Sequence, residues 1–170
     1  MKRRCEYIVL AGLVAVLLYQ IAHLGTEVSQ PPRTVIATIS TNLPNRNGWT
    51  AISKGIEYGY FMANPVVLWS HFGEKYPIGR VLKIEVRERR VLAMIQFSDT
   101  PEGRYVYQRV MAGDLSAWSV GLIPLVYEPL PGGHPFRPNY LIRRWELVEL
   151  SLVTVPANPE CLVHRWMDRL

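Results

Sequence analysis

Apolar residues in this chain recur at two spacings, and the changes of spacing mark its elements. Residues 8–24 are almost wholly apolar, broken by Gly12, Gln20 and His23, and come after the basic start Met1-Lys2-Arg3-Arg4. A membrane-spanning helix needs about 20 such residues, with a lower limit near ~17. The run also resembles a signal-peptide core, but Ala22-His23-Leu24-Gly25 makes a poor cleavage site. If the run inserts, its basic flank keeps the N-terminus cytoplasmic and places the downstream domain on the far side. Residues 25–32 read as a linker ending in Pro31-Pro32. The expected organisation is a hydrophobic leader and linker over residues 1–32, then one domain over residues 33–170.

Within that domain, residues 34–40 are rich in β-branched side chains and predict a strand. Residues 42–48 carry turn chemistry. Residues 53–61 suggest a short helix capped by Ser53, against which Gly55 and Gly59 count. Val66-Val67-Leu68-Trp69 is a compact apolar strand, with His71 just beyond it. Residues 77–86 and 91–97 alternate around Glu88-Arg89-Arg90, which predicts a hairpin with a charged, solvated tip. Thr100-Pro101-Glu102 opens a helix running to about Ala112, with Tyr105, Val106, Arg109 and Val110 on one stripe. A strand over residues 115–127, a Pro/Gly loop over 128–139, a long strand over 140–155 and a closing amphipathic helix over 160–170 complete the reading. Short strands dominate. This pattern argues for an all-β or α+β single domain, a barrel or a strongly curled sheet.

Composition changes this picture little. The 170 residues suit one domain with a short appendage, and the net charge of +5 is too scattered to argue for nucleic-acid binding. Cys5 and Cys161 lie at opposite ends in no metal-type spacing and read as free thiols. Cys161 and His164 form a lone C-x-x-H pair, which reads as one turn of the terminal helix, not as a zinc site.

The candidate chemistry centres on Gly113-Asp114-Leu115-Ser116-Ala117-Trp118-Ser119-Val120-Gly121-Leu122. Gly121 lies two residues after Ser119, on the same strand face, and reads as leaving the hydroxyl open on that side. Of His23, His71, His134 and His164, only His71 stands at the end of a buried strand, as a catalytic base requires. A carboxylate in the apolar stretch 146–153 would complete a set, since it fixes the imidazole tautomer and stabilises the imidazolium. Glu146 and Glu149 fall on opposite faces if that strand is regular, so only one can share the site. The G-x-S-x-G elbow is absent, which excludes an α/β-hydrolase.

Four blocks occur in order. They are Asn64-Pro65-Val66-Val67-Leu68-Trp69-Ser70-His71, then Pro77-Ile78-Gly79-Arg80-Val81, then Gly113-Asp114-Leu115 with Ser119-Val120-Gly121. The last runs from Leu147-Val148-Glu149-Leu150-Ser151 to Pro156-Ala157-Asn158-Pro159. This set is similar to the prohead (capsid-maturation) serine proteases of tailed bacteriophages. The resemblance implies an assemblin-like fold, α+β but mostly β, a small curled β-barrel with a few flanking helices, related to herpesvirus maturation proteases; it implies no cofactor and no metal. It implies a serine endopeptidase in the host cytoplasm, inside the immature capsid, with capsid and scaffold proteins as substrates. Carried over by position, Ser119 is the nucleophile, His71 the general base and Glu149 the orienting acid. A backbone N–H near Arg143-Arg144 stands as the guess for an oxyanion donor. Further copies of the chain, and a membrane contacted through residues 8–24, are the other expected partners; nucleic acid is not. The turn Asn45-Arg46-Asn47-Gly48-Trp49 departs from the family, which often carries acid there. The leader is also unexpected in a capsid-enclosed protease. It motivates an alternative, a membrane-tethered, non-catalytic binding or assembly module on the same fold.

Overall fold

A computed structural model describes residues 33–73, 76–134 and 137–164. The leader over residues 8–24 lies outside them. Among the described residues, no helix is long and apolar enough to cross a membrane.

Among the described residues, nine strands form one sheet, ordered β2-β8-β4-β5-β6-β1-β9, with β3 and β7 also paired to β8. β1 (Thr34–Thr41) is the β-branched run, and its Val35, Ala37 and Ile39 are buried. β5 (Gly79–Val86) and β6 (Arg90–Phe97) form the alternating hairpin, closed by Arg87 N–H donating to Arg90 O at 2.9 Å. β6 also pairs with β1, and register shifts at Thr38/Ser40 and Val81/Lys83 bend this part of the sheet. α2 (Pro101–Ala112) starts where Thr100 Oγ1 accepts the Gly103 N–H at 3.1 Å and ends at left-handed Gly113. Its Val106 and Val110 are buried, whereas Tyr105 and Arg109 of the expected stripe face outward, joined by a 2.9 Å hydrogen bond. Tyr107 lies against Phe97, with ring centroids 5.5 Å apart.

β8 (Arg137–Val153) is the spine. β7 (Ala117–His134) runs antiparallel on one side of it, while β2 (Trp49–Ala51), β3 (Ile56–Glu57) and β4 (Val66–Trp69) run parallel on the other. Trp118, Trp145, Leu147, Leu150 and Leu152 project from this pair into the core and are fully buried. Each contributes about 1.5–3 kcal/mol by leaving water.

Four expectations need correction. The segment 128–139 is not a free loop, because the β7–β8 hairpin extends through it to His134↔Arg137. Pro124 and Pro129 fit because, among the described residues, β7 has a strand neighbour on one side only along that length, so a missing N–H can face solvent. Residues 53–61 are not one helix: a 3-10 turn (Ser53–Gly55), β3 and the short α1 (Gly59–Ala63) replace it. Ser53 is buried, with its hydroxyl donating to Asn42 Oδ1, and the turn lies so close to β8 that a Cβ on Gly55 would meet Arg143 O at 1.7 Å. The chain over 160–164 is not helical: Glu160 lies in a turn, and β9 (Val163–His164) is extended and pairs with β1. Residues 165–170 of that expected helix lie outside the described residues. Lastly, among the described residues the strand ladder does not close into a barrel. β9 and the start of β7 are joined only by the bridge Ala117–Leu162 and its flanking bonds, Trp118 N–H to Cys161 O and Val163 N–H to Ser116 O, both 2.8 Å. The fold is mostly β with few helices, in one bent, open sheet.

Candidate active site

Ser119 stands on β7 opposite Ser151 of β8, and Gly121 stands opposite Glu149. Facing residues of an antiparallel pair share a face, as do residues two apart, so Ser119, Gly121, Glu149 and Ser151 lie together on the face away from the core tryptophans. β4 brings the histidine to this face. It pairs with β8 at Leu68↔Ser151 and Trp69↔Leu152, and Ser70 N–H donates to Leu152 O at 2.9 Å. The chain then turns through Ser70 and His71, both left-handed with φ of 51° and 64°. Two consecutive non-glycine residues there cost about 1–3 kcal/mol each, so neighbouring contacts must hold the turn.

Those contacts are the site itself. His71 Nδ1 donates to Glu149 Oε1 at 2.7 Å. Ser151 Oγ accepts the His71 backbone N–H at 3.1 Å and donates its own proton to Glu149 Oε2 at 2.6 Å. Both carboxylate oxygens are thereby engaged, and His71 is held once at its ring and once at its backbone. A carboxylate on Nδ1 leaves Nε2 as the basic nitrogen. The His71 ring is half exposed, the Glu149 side chain mostly covered. Ser119 is only 6% exposed and borders a cleft of about 250 Å³. Its hydroxyl makes no hydrogen bond to another side chain among the described residues.

Strand irregularity places the acid. Gly121 faces Glu149 but Leu122 faces Leu147, so Val148 is an extra residue, a β-bulge in β8. Leu147 and Leu150 are both fully buried on either side of it, and Val148 is exposed. The bulge resets the alternation, putting Glu146 and Glu149 on the same outer face, contrary to the expectation for a regular strand. Only Glu149 bonds His71; Glu146 lies farther along, opposite Ile123 and beside Glu57. The expectation for Gly121 also changes, because the space beside it holds the Glu149 carboxylate and is not open. Arg143 and Arg144 lie far along the strand from Ser151 and Glu149. Arg144 pairs with Val126, roughly 20 Å along the hairpin from Ser151 at about 3.3 Å per residue. Their side chains bind Glu128 and Glu57, so the guess of an oxyanion donor there is set aside.

Ser151 is the member that sequence reading missed. A signal was present: Glu149 and Ser151 are two polar residues at strand spacing in an otherwise apolar stretch. The C-x-x-H pair is likewise not a helical turn. Cys161 is buried, and His164 Nε2 lies 2.8 Å from Thr38 Oγ1. Among the described residues no three His, Cys, Asp or Glu side chains group as metal ligands.

Fold and site together define a β-rich protein with serine, histidine and carboxylate side chains on one sheet face. The chain belongs to the caudovirus prohead serine protease family, whose sequence profile matches residues 62–169. It is also similar to a capsid polyprotein of Pseudomonas phage PAJU2, 27% identical over an alignment of 139 residues that covers 77% of this chain. The chain spans about a fifth of that relative's length, 20%. No solved structure matches it.

Proposed function

We propose that this protein is a serine endopeptidase that cleaves capsid and scaffold proteins during phage head maturation, inside the immature capsid in the host cytoplasm. Family membership supports the class. The observation that carries the site is the 2.7 Å bond from His71 Nδ1 to Glu149 Oε1, on the sheet face that Ser119 shares. In this reading Ser119 Oγ attacks the scissile carbonyl carbon as its proton passes to His71 Nε2. That nitrogen then protonates the leaving amine as the C–N bond breaks, giving an acyl-enzyme. Water, deprotonated by the same nitrogen, releases the acid and restores the serine. Glu149 holds the ring in the required tautomer and stabilises the imidazolium.

The test is Ser119→Ala in the full-length protein, co-expressed with capsid and scaffold proteins. Processing should fall by several orders of magnitude, since only binding and transition-state contacts remain without the nucleophile. Wild-type processing by this variant would remove Ser119 from the mechanism.

A further inference from the structure

The cleft beside Ser119 runs along the edge of β7, not across its face. It touches every residue from Trp118 to Leu122, and consecutive strand residues point to opposite faces. A groove meeting all of them meets the strand side-on, where its backbone groups emerge. The hydrogen bonds fix which groups those are. Trp118 N–H points away from β8, to Cys161 O at 2.8 Å. Alternate residues of an antiparallel strand aim their N–H and C=O to the same side, and no register shift falls between Trp118 and Val120. The Val120 N–H and C=O therefore also point away from β8. The Leu162 bridge ends before them, so no strand of the described residues pairs with them. Next to Ser119, the sheet thus offers a short length of free edge that an extended peptide can pair with.

The opposite wall sets what a peptide side chain would meet. It includes Leu43, Asn45, Trp49, Ala157 and Asn158. Among the described residues, none lining the cleft carries a charge. Asn45 Oδ1 already accepts the Asn47 and Trp49 N–H groups. Asn158 is bonded to Thr41 and to the Glu160 N–H. Arg46 is turned to the Pro156 carbonyl. The Cys161 thiol is pushed up to about 12, by burial first and then by Glu160, so it is neutral near pH 7. A buried charge entering this cleft would find no counter-charge to offset its lost hydration.

The geometry points to a specificity pocket: an extended peptide pairs with the Val120 edge and places one uncharged side chain, leucine-sized or aromatic, in the cleft beside Ser119, while Asp, Glu, Lys and Arg are excluded there. This rests on the protease reading. The full-length protein is incubated with a proteome-derived peptide library, and cleavage sites are mapped by mass spectrometry. At one position flanking the cut bond, the four charged residues should fall at least tenfold below their library frequency. Charged residues at library frequency in every flanking position would overturn the inference. In Leu43→Glu, the ratio of Lys to Leu accepted at that position should rise at least tenfold; an unchanged ratio in a variant with the wild-type circular dichroism spectrum also overturns it. A fluorophosphonate probe separates the two levels. Labelling of Ser119 without charge discrimination sinks the pocket and leaves the protease standing. Absence of both labelling and cleavage sinks the protease reading, and the pocket with it.

Discussion

Gly121 faces Glu149 across the β7–β8 ladder, and its missing side chain is the space that the Glu149 carboxylate fills. A Cβ there would stand 2.7 Å from Oε1, the oxygen that His71 Nδ1 holds at 2.7 Å. Something must yield, and the carboxylate end is the softest part. Gly121→Ala should therefore shift Glu149 and the imidazole by a few tenths of an ångström or more while leaving the sheet intact. Displacements approaching 1 Å in a catalytic set cost up to about 10²-fold. We expect kcat/KM on a peptide substrate to fall about 10- to 100-fold, with a melting temperature within a few degrees of wild type. Full activity would mean that the carboxylate's position is not critical.

Ser151 is fully buried, and its hydroxyl serves both partners of the histidine–carboxylate pair. In Ser151→Ala the His71 N–H loses its acceptor in a left-handed turn, and Glu149 Oε2 loses a donor. An unsatisfied buried polar group costs about 1–3 kcal/mol. Urea denaturation should show a loss of that size, together with a drop in kcat larger than any change in KM. Unchanged stability and kcat would show that the turn is held by other contacts.

The two glutamates give a sharper contrast. Glu149→Gln keeps the shape but offers His71 Nδ1 a neutral partner and permits the wrong tautomer. Losses of order 10³–10⁴ in kcat are expected when an orienting carboxylate is so changed. Glu146→Gln, on the same outer face but not bonded to His71, should stay within about twofold of wild type. Equal effects of the two substitutions would contradict the assignment of Glu149.

Legibility in the sequence depends on how local each determinant is. The β-branched run 34–41, the alternating hairpin around residues 87–90, and a helix bounded by Thr100, Pro101 and Gly113 are legible because neighbouring residues decide them. The hairpin beyond residue 127 is not, because Pro and Gly there signal a loop unless the strand is known to lie at an edge. The helix expected at residues 53–61 gives way to contact between Gly55 and Arg143, which only tertiary structure reveals. At the site, resemblance supplies the roles of His71, Ser119 and Glu149, whereas the bulge at Val148 and the bridging Ser151 depend on strand pairing. The bulge in particular overturns the face assignment that simple alternation gives.

The last prediction concerns pH and lies away from the site. β9 is a short strand that docks the end of the described chain on β1, with His164 Nε2 2.8 Å from Thr38 Oγ1. Partial burial lowers the His164 pKa, and the nearby Arg90 and Arg87 guanidinium groups lower it further. Glu88, Arg89 and Glu160 border the same cleft. A histidine whose folded pKa lies below its unfolded value, about 6.5, binds a proton more readily when unfolded. Its contribution to stability is therefore intact above the unfolded pKa. It is lost as pH falls through 6.5 toward the depressed folded value, and the loss is complete below both. Denaturation midpoints should fall between pH 7.5 and pH 5 in the wild type, and fall less in His164→Gln, where this titration is absent. The difference between the two slopes isolates His164 from the other titrating groups. A slope identical in both proteins would mean that β9 docking does not depend on the charge state of this histidine.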